Sequence, residues 1–377
     1  MLSALIFART ADQMITLAKS LPFLLLAAAG LAVTPAAGAD APGASSDGYL
    51  YSDSHLHLTS YIQEGTDIGD YVKMMGHVVK RSTLFGIPLQ QMWQYGNTGD
   101  FAPTYYLQTD APLYYYSFTD AVIAMAYKSL PPEQQARLDP MITGFNPADM
   151  YAVDHIRRVL RLFPGVFTGI GEFTIHKEFV SSKIAGGVAT LNDRALHRIL
   201  DFAGDAGLVV ILHNDADTPF PKPDQEPYML LQMKDLLLQH PRTTVIWAHA
   251  GLGRMVHPVA AHLAILDRAL GNPGLKHLCI DLSWDETAKY VTASPAAIQA
   301  TAALIEKYPD RFVFGSDVVA PASLDAPLAV YHQYDPLWKA LKPETLRKVC
   351  LENYERIFDE GRRRVRAWEA AQAGKPR

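Results

Sequence analysis

A pair of histidines two residues apart marks the first segment of the chain that could do chemistry, DSHLHL at residues 53–58. If this segment is a β-strand, Asp53, His55 and His57 project from the same face, because side chains alternate along a strand. Buried imidazole groups without partners are energetically costly. This face is therefore expected either to contact water or to bind a ligand, and imidazole is a frequent ligand of divalent transition metals.

Further residues of metal-ligand type follow at the ends of later hydrophobic runs. Glu172 ends GIGE and His213 ends VVILH. His249 follows TTVIWA and Asp317 follows FVFGS. In a barrel of parallel strands, the carboxyl ends of the strands meet on one rim, where such folds place their active sites. Imidazole and carboxylate groups converging there predict a divalent-metal site; they suit Zn²⁺ and also accommodate Mn²⁺, Fe²⁺ or Co²⁺.

The elements that would position these residues are eight strand-like runs alternating with helical patterns. Most runs are nearly continuous in Val, Ile, Leu and Phe, as expected for strands buried on both faces. They span residues 49–58, 84–92, 141–147, 167–175, 208–217, 243–251, 278–285 and 311–318. Helical patterns span 147–163, 191–207, 226–241 and 295–309. The alternation predicts an α/β fold, a distorted (β/α)₈ TIM barrel. A doubly wound open sheet is the main alternative, but no GxGxxG motif follows the first run.

An aromatic-rich insertion is expected after the second strand, at residues 93–118, which contain six tyrosines, a tryptophan and two phenylalanines. Long structured insertions are frequently functional. We expect this segment to form a lid or one wall of the pocket, with Trp93 and Tyr95 contacting the substrate. The alternative is a packing flap or an interface.

The bulk composition is that of an ordinary globular protein with a sizeable core, with 49% hydrophobic and 19% charged residues. A formal net charge of −5 gives no reason to expect nucleic acid or an anionic membrane surface as a partner. The two cysteines, Cys279 and Cys350, do not make a disulfide framework, and we expect two buried thiols.

The N-terminal region resembles an export signal. An apolar run at residues 21–33 follows Lys19, and Ala37-Gly38-Ala39 fits a signal-peptidase site. We therefore predict a signal peptide over 1–39, a flexible leader over 40–48 and one barrel domain over 49–377, in a periplasmic or secreted protein. Translation could begin at Met1 or Met14. An uncleaved membrane anchor is the alternative, but the run is shorter than the roughly 20 residues that span a bilayer.

The ordered motifs DSHLHL, GIGEF, ILHND, WAHAGLGR, FGSD and LENYERIF resemble the amidohydrolase superfamily, within it the amidohydrolase-related (amidohydrolase 2) branch that includes small-acid decarboxylases. The resemblance spans roughly residues 49–360. It implies one or two divalent ions on the barrel rim, with His55, His57 and His213 as ligands of the first.

The same resemblance implies roles for the remaining rim residues. Asp317 would share ligation with proton transfer, and His249 would bind a second ion or hydrogen-bond the attacking water. Glu172 would either bridge two ions or serve as a structural carboxylate, and the sequence leaves both readings open.

Residues beyond the ligands are candidates for substrate binding. Arg254, in GLGR, could clamp a substrate carboxylate. Asn214 and Asp215 follow His213 and could line the pocket, while Asp281 and Trp284 end the seventh run and are expected in its wall.

The residues together predict an enzyme acting on a small molecule, a hydrolase that attacks an amide, ester or lactone with a metal-activated water. Two alternatives are a metal-dependent non-oxidative decarboxylase of a small aromatic acid and a catalytically silent periplasmic binder. We expect no stable membrane insertion after signal cleavage. The oligomeric state stays open, with a homodimer as one option.

Overall fold

The structure, a computed structural model, describes residues 48–186, 188–218, 227–259 and 261–373. The predicted signal peptide and nearly all of the predicted leader lie outside these residues. Among the residues described, no helix combines the length and the hydrophobicity needed to cross a membrane.

The hydrophobic runs form one parallel sheet of eight strands, in the order β1-β3-β6-β7-β8-β9-β10-β11. In chain order, the strands of the described residues are β1 (Tyr51–Asp53), β2 (Leu56–His57), β3 (Val79–Leu84), β4 (Leu89–Gln91), β5 (Leu113–Tyr115), β6 (Leu138–Ile142), β7 (Gly169–His176), β8 (Val209–Asn214), β9 (Val245–Trp247), β10 (Leu278–Leu282), β11 (Phe312–Phe314) and β12 (Val318–Val319).

The first and last strands approach each other and close the sheet into a barrel. The backbone N–H of Ser54 donates to the Phe314 carbonyl at 2.9 Å, and β2 pairs in parallel with β12. Gly315 is required at this seam, since a Cβ there would lie 2.6 Å from the Cβ of His55. The Asp53 carboxylate accepts hydrogen bonds from the backbone and hydroxyl of Ser316, at 2.8 and 2.6 Å. The predicted TIM barrel is confirmed.

The second barrel strand lies earlier than predicted. It is β3, whereas the predicted run at 84–92 begins at its last residue, and β4 pairs antiparallel with β5 outside the barrel sheet. The hydrophobicity pattern hides β3 because it contains Lys80 and Arg81. Arg81 is nevertheless buried, since its Nη2 donates to Asp139 Oδ2 at 2.7 Å.

Helices surround the barrel and include the four that were predicted, which correspond to α5, α7, α8 and α11. The α-helices of the described residues are α1 (Ile68–Met75), α2 (Tyr95–Thr98), α3 (Thr119–Ser129), α4 (Pro132–Gln135), α5 (Ala152–Leu162), α6 (Val180–Lys183), α7 (Arg194–Ala206), α8 (Tyr228–Gln239), α9 (His262–Leu270), α10 (Asp285–Val291), α11 (Pro295–Lys307), α12 (Asp325–Gln333), α13 (Asp335–Trp338), α14 (Pro343–Arg347) and α15 (Asn353–Gln372). Short 3₁₀ turns span Ala248–Gly251 and Pro273–Leu275, and a π-helical turn spans Lys348–Glu352.

Local signals explain several helix boundaries. α7 ends at Gly207, whose φ of +80° suits glycine. α11 begins with Pro295 after Ser294, whose side chain accepts a hydrogen bond from Ala297 N. α5 begins five residues later than predicted, because the Asn146 side chain stabilises a turn by accepting from Ala148 N.

Alternate residues of the barrel strands separate into two hydrophobic layers. In β8, Val210 and Leu212 pack in the large cluster beneath the helices, whereas Val209 and Ile211 pack in an inner cluster. Tyr354 and Phe358 of α15 join this inner cluster. Cys279 and Cys350 are both buried free thiols, as predicted.

Candidate metal centre

Two histidines and two carboxylates meet at the rim of the barrel. His55 and His57 follow β1 and Asp317 follows β11, whereas Glu172 lies within β7 and not at its end as predicted, since that strand continues to His176. His55 Nε2 and His57 Nε2 lie 3.3 and 3.2 Å from Asp317 Oδ1. The same two nitrogens lie 3.5 and 3.3 Å from Glu172 Oε2. All four side chains are almost completely shielded from solvent. They form a first group with metal-ligand geometry, within 4.8 Å of one another.

A second group shares Glu172 with the first. His213 Nδ1 lies 2.6 Å from Glu172 Oε1, and His249 Nε2 lies 3.7 Å from the same oxygen. The resemblance described above implied that His213 binds the same ion as His55 and His57. The structure instead groups it with His249 and Glu172, because its Nδ1 faces the Oε1 side of that carboxylate. Glu172 therefore presents one oxygen to each group.

Hydrogen bonds behind the rim fix which ring nitrogen of two histidines faces the centre. His55 Nδ1 donates to Asp281 Oδ2 at 2.8 Å. Ser283 Oγ donates its proton to the same Asp281 oxygen at 2.6 Å. Ser283 Oγ can therefore act only as an acceptor toward His249 Nδ1, which lies 2.7 Å away and must carry a proton. In the neutral form of both rings Nε2 then carries the lone pair, and both Nε2 atoms are buried without a hydrogen-bond partner among the described residues.

The other two histidines are held in the same way by acceptors outside the centre. His57 Nδ1 donates to the Gly86 carbonyl at 3.4 Å, which leaves its Nε2 as the ligand atom. His213 Nε2 bonds Asp215 Oδ1 at 3.1 Å, so its Nδ1 is the atom that faces Glu172. Partners that orient the ring in this manner are a regular feature of metal-binding histidines.

The clustered groups shift one another's ionisation. Burial opposes ionisation of Glu172, yet Lys177 and His213 hold its pKa well below the usual range. Burial opposes the charged form of His55, but Asp317 and Glu172 raise its pKa well above the usual value. Burial lowers the pKa of His249. The pKa values of His57 and His213 are also raised, since the carboxylates around them outweigh burial. These shifts favour ionised carboxylates next to protonated histidines, and a bound metal would take the place of those protons.

Backbone conformation at the rim is unusual at three of the site residues. His249, Trp284 and Asp317 have positive φ values of 58°, 77° and 54°. Residues other than glycine adopt this region at a cost, and such residues cluster at functional sites. The surrounding packing therefore holds these three side chains in orientations that a relaxed backbone would not give.

A cavity that is open to solvent lies against the first group. It is lined by His57, Tyr61, Ile87, Pro88, Leu89, Tyr105, Tyr106, Glu172, Thr174, Lys177, Val180, Arg254, Trp284, Asp317 and Val319. Tyr105 and Tyr106 belong to the aromatic segment 93–118, so part of that segment does form a cavity wall. Trp93 and Tyr95 do not line this cavity, and they are 52% and 76% exposed.

Of the other residues that were predicted to contact the substrate, two line the cavity and the rest are buried behind it. Arg254 and Trp284 line the cavity, and the Arg254 guanidinium lies 5.0 Å from the centre of the Trp284 ring. Asn214 and Asp215 are buried and do not line it. Asp215 orients His213, and Asp281 lies behind His55 rather than in the cavity wall.

Lys177 is a cavity residue that is not among the candidates named from the sequence. It directly follows β7, and its Nζ lies 3.7 Å from Glu172 Oε1 and 5.6 Å from the centre of the Trp284 ring. The available signal was its place one residue beyond a strand that already supplied Glu172.

The residues present fit a divalent metal. Two buried imidazole nitrogens without partners, two ionised carboxylates and two further oriented histidines form a donor set of the kind that binds Zn²⁺ and similar ions. An ion in each group would give the buried His55 and His249 nitrogens the partner that the protein itself does not supply.

One family model and several solved structures are similar to this chain. The amidohydrolase family model matches residues 53–359. No curated protein matches the chain significantly. Similar solved structures include a dihydroorotase from Campylobacter jejuni (14% identity, 82% of this chain and 83% of the other, TM-score 0.48). A zinc-bound amidohydrolase from Burkholderia multivorans has 15% identity over 82% of this chain and 99% of its own, with a TM-score of 0.48. A 2,6-dihydroxybenzoate decarboxylase from Rhizobium has 13% identity over 81% of this chain and 99% of its own, with a TM-score of 0.42. The family match over most of its length shows that the chain belongs to the amidohydrolase family of metal-dependent TIM-barrel enzymes.

Proposed function

We propose that the protein is a hydrolase with two divalent ions that cleaves an amide, ester or lactone bond. The single observation that carries this proposal is the position of Glu172 between two groups of histidines, with a different carboxylate oxygen facing each. In the proposal, His55, His57 and Asp317 would hold the first ion, His213 and His249 would hold the second, and Glu172 would be shared by the two groups. Zn²⁺ is the expected metal, since imidazole and carboxylate donors suit it.

Divalent ions at such a site polarise an acyl oxygen and lower the pKa of a water molecule, so that a nucleophile forms near neutral pH. The protein's part is to hold the acceptor of the proton. Asp317 lines the cavity and is ionised, because His249 and His55 lower its pKa although burial opposes this. We assign it the role of general base and then of general acid toward the leaving group.

The walls of the cavity orient the substrate and limit its contact with water. Tyr61, Tyr105 and Tyr106 offer flat apolar faces with polar tips, which suits a small molecule that is partly apolar. Arg254 is fixed opposite them, because its Nη1 donates to the phenolic oxygens of Tyr105 and Tyr106.

We also propose that the protein is exported to the periplasm or secreted. This part rests on the apolar run at residues 21–33 and the small residues at 37–39. N-terminal sequencing of the protein from its native host tests it, with mature protein starting near residue 40 as the expected result.

Turnover of a panel of esters, lactones and amides by the metal-loaded protein tests the hydrolase proposal. We expect hydrolysis of at least one class, a loss of about 100-fold or more in kcat for Asp317→Asn, and full activity for Asp100→Asn, which alters an exposed carboxylate outside the cavity. Release of CO₂ from aromatic acids without acyl hydrolysis would replace the proposal with a decarboxylase. Metal binding without any turnover would indicate a binder.

A further inference from the structure

Lys177 places a positive charge in the cavity without giving it a hydrogen-bond acceptor. Its side chain is 12% exposed, and its closest anionic partner, Glu172 Oε1, lies 3.7 Å away, beyond hydrogen-bonding distance. Among the described residues, the hydrogen bonds of Lys177 are made by its backbone: the N–H donates to Ser181 Oγ, and the carbonyl accepts from the N–H groups of Val180 and Ser181. An ammonium group has three donors and is costly to shield from water unless they are satisfied.

The carboxylate closest to Lys177, that of Glu172, also faces the candidate metal ligands. Glu172 Oε1 is the oxygen that faces His213 and His249, and Oε2 faces His55 and His57. When divalent ions occupy these groups, the negative charge of Glu172 is drawn toward them. The more distant carboxylates of Asp317 and Asp215 would then be the remaining acidic groups that offset the positive charge of Lys177, which faces the cavity.

A second cation lies on the same wall. The Lys177 ammonium and the Arg254 guanidinium both lie over the Trp284 ring, at 5.6 and 5.0 Å from its centre. Arg254 is partly balanced by Glu286, whose Oε1 lies 3.5 Å from Arg254 Nε. Of the two cations, Lys177 is therefore the one with more unused binding capacity, and it lies nearer to the candidate metal ligands.

We propose that Lys177 binds a carboxylate of the substrate, with Arg254 as a second cation on the same wall. The substrate class is an ester, lactone or amide that also carries a carboxylate on a flat, partly apolar framework. The nature of the bond that is cleaved rests on the proposed function, whereas recognition of the carboxylate does not. A role for Lys177 only as the counter-ion of Glu172 predicts no preference for anionic ligands.

Binding of a matched pair of ligands tests this inference without requiring turnover. 4-Acetylbenzoate and 4-acetylbenzamide share a flat ring and a ketone that cannot be hydrolysed, and they differ in the charge of one group. Isothermal titration with the metal-loaded protein should give a Kd for the carboxylate about tenfold or more below that for the amide, since hydrogen bonds to charged groups are among the stronger ones.

Variants assign the preference to Lys177. Lys177→Met should bring the ratio of the two Kd values close to one, and Lys177→Arg should retain most of it because the charge remains. Lys234→Met, the same change at an exposed lysine outside this cavity, should leave the ratio unaltered. Metal content and circular dichroism confirm that each variant is folded, and Lys177→Gln replaces the Met variant if that one fails to fold.

Two results would overturn the inference: equal or absent binding of the two ligands by the wild-type protein, or an unchanged preference in the folded variant that lacks the Lys177 charge. The outcomes also separate the two proposals. A preference for the carboxylate without hydrolysis of any acyl substrate would reject the hydrolase and retain the Lys177 site. Hydrolysis of an acyl substrate without a preference for the carboxylate ligand would retain the hydrolase and reject the Lys177 site.

Discussion

His213 Nδ1 lies 2.6 Å from Glu172 Oε1, on the opposite side of that carboxylate from the oxygen that faces His55 and His57. A carboxylate with both oxygens directed at separate ligand groups can bridge two ions, whereas a purely structural carboxylate needs no such arrangement. The contact between these two residues, together with the contacts of His55 and His57 with the other oxygen, is therefore the observation behind the two-ion proposal.

Replacing Glu172 should remove metal. Glu172→Gln keeps the shape of the side chain but removes the negative charge, and one end of an amide is a donor that cannot bind a cation. We expect at least one of the two ions to be lost, as measured by elemental analysis of dialysed protein. Glu344→Gln, the same change at an exposed glutamate, is the control. Unaltered metal content in Glu172→Gln would show that Glu172 is not a ligand.

The residues that hydrogen-bond His55 and His249 from behind, Asp281 and Ser283, should affect metal affinity almost as strongly as the ligands themselves. Asp281→Asn removes the carboxylate that accepts from His55 Nδ1 and from Ser283 Oγ. His55 then loses its direct partner, and Ser283, the partner of His249, loses the acceptor that orients its hydroxyl. We expect metal affinity to fall about 10- to 100-fold in a chelator competition. Ser283→Ala should give a smaller loss, through His249 alone, and an affinity equal to wild type in both variants would contradict this account.

The aromatic segment should contribute through Tyr105 rather than through Trp93. Tyr105 lines the cavity and contacts Arg254, while Trp93 is 52% exposed away from it. With an ester that the protein hydrolyses, we expect Tyr105→Ala to raise KM about five- to tenfold and Trp93→Ala to leave it within about twofold. The reverse ranking would mean that the segment contacts substrate through its exposed end.

Acid should destabilise the fold through His262, a buried histidine at the start of α9. Burial lowers its pKa from 6.5 to about 4, although a backbone hydrogen bond with Ala250 acts in the opposite direction. The unfolded chain therefore binds a proton that the folded chain does not between these pH values, and stability is lost as the pH falls through this window. From pH 7 to pH 5 the contribution is about 2 kcal/mol.

Urea unfolding of wild type and His262→Leu at both pH values measures this contribution. Leucine does not titrate, so the variant should lose about 2 kcal/mol less stability on acidification. His332→Leu, at an exposed histidine, should behave like wild type. Equal losses in wild type and His262→Leu would show that His262 does not control the acid response.

The positions of the strand ends could be predicted from the sequence, and the interior geometry could not. His55, His213, His249 and Asp317 each follow a hydrophobic run, and parallel strands bring such residues to one rim. Glu172 joins them from within β7, which continues to His176. Which nitrogen of His213 faces Glu172 depends on Asp215 and on backbone direction, so residue spacing could not assign that histidine to an ion.

Two further differences arise from charge and from packing across the chain. β3 was missed because the charge of Arg81 is satisfied by Asp139, a partner 58 residues away that hydrophobicity alone cannot identify. Tyr105 and Tyr106 were not distinguished from Trp93 and Tyr95, because all are aromatic residues of one irregular segment. Only the contacts with Arg254 determine which of them form the cavity wall.

The number of ions per chain tests the central claim most directly. Elemental analysis of protein spanning residues 40–377, expressed with added zinc or manganese and then dialysed, should give two ions per chain for the wild type and fewer for Glu172→Gln. One ion per chain in the wild type, unchanged by Glu172→Gln, would contradict the bridging role of Glu172 and with it the two-ion hydrolase.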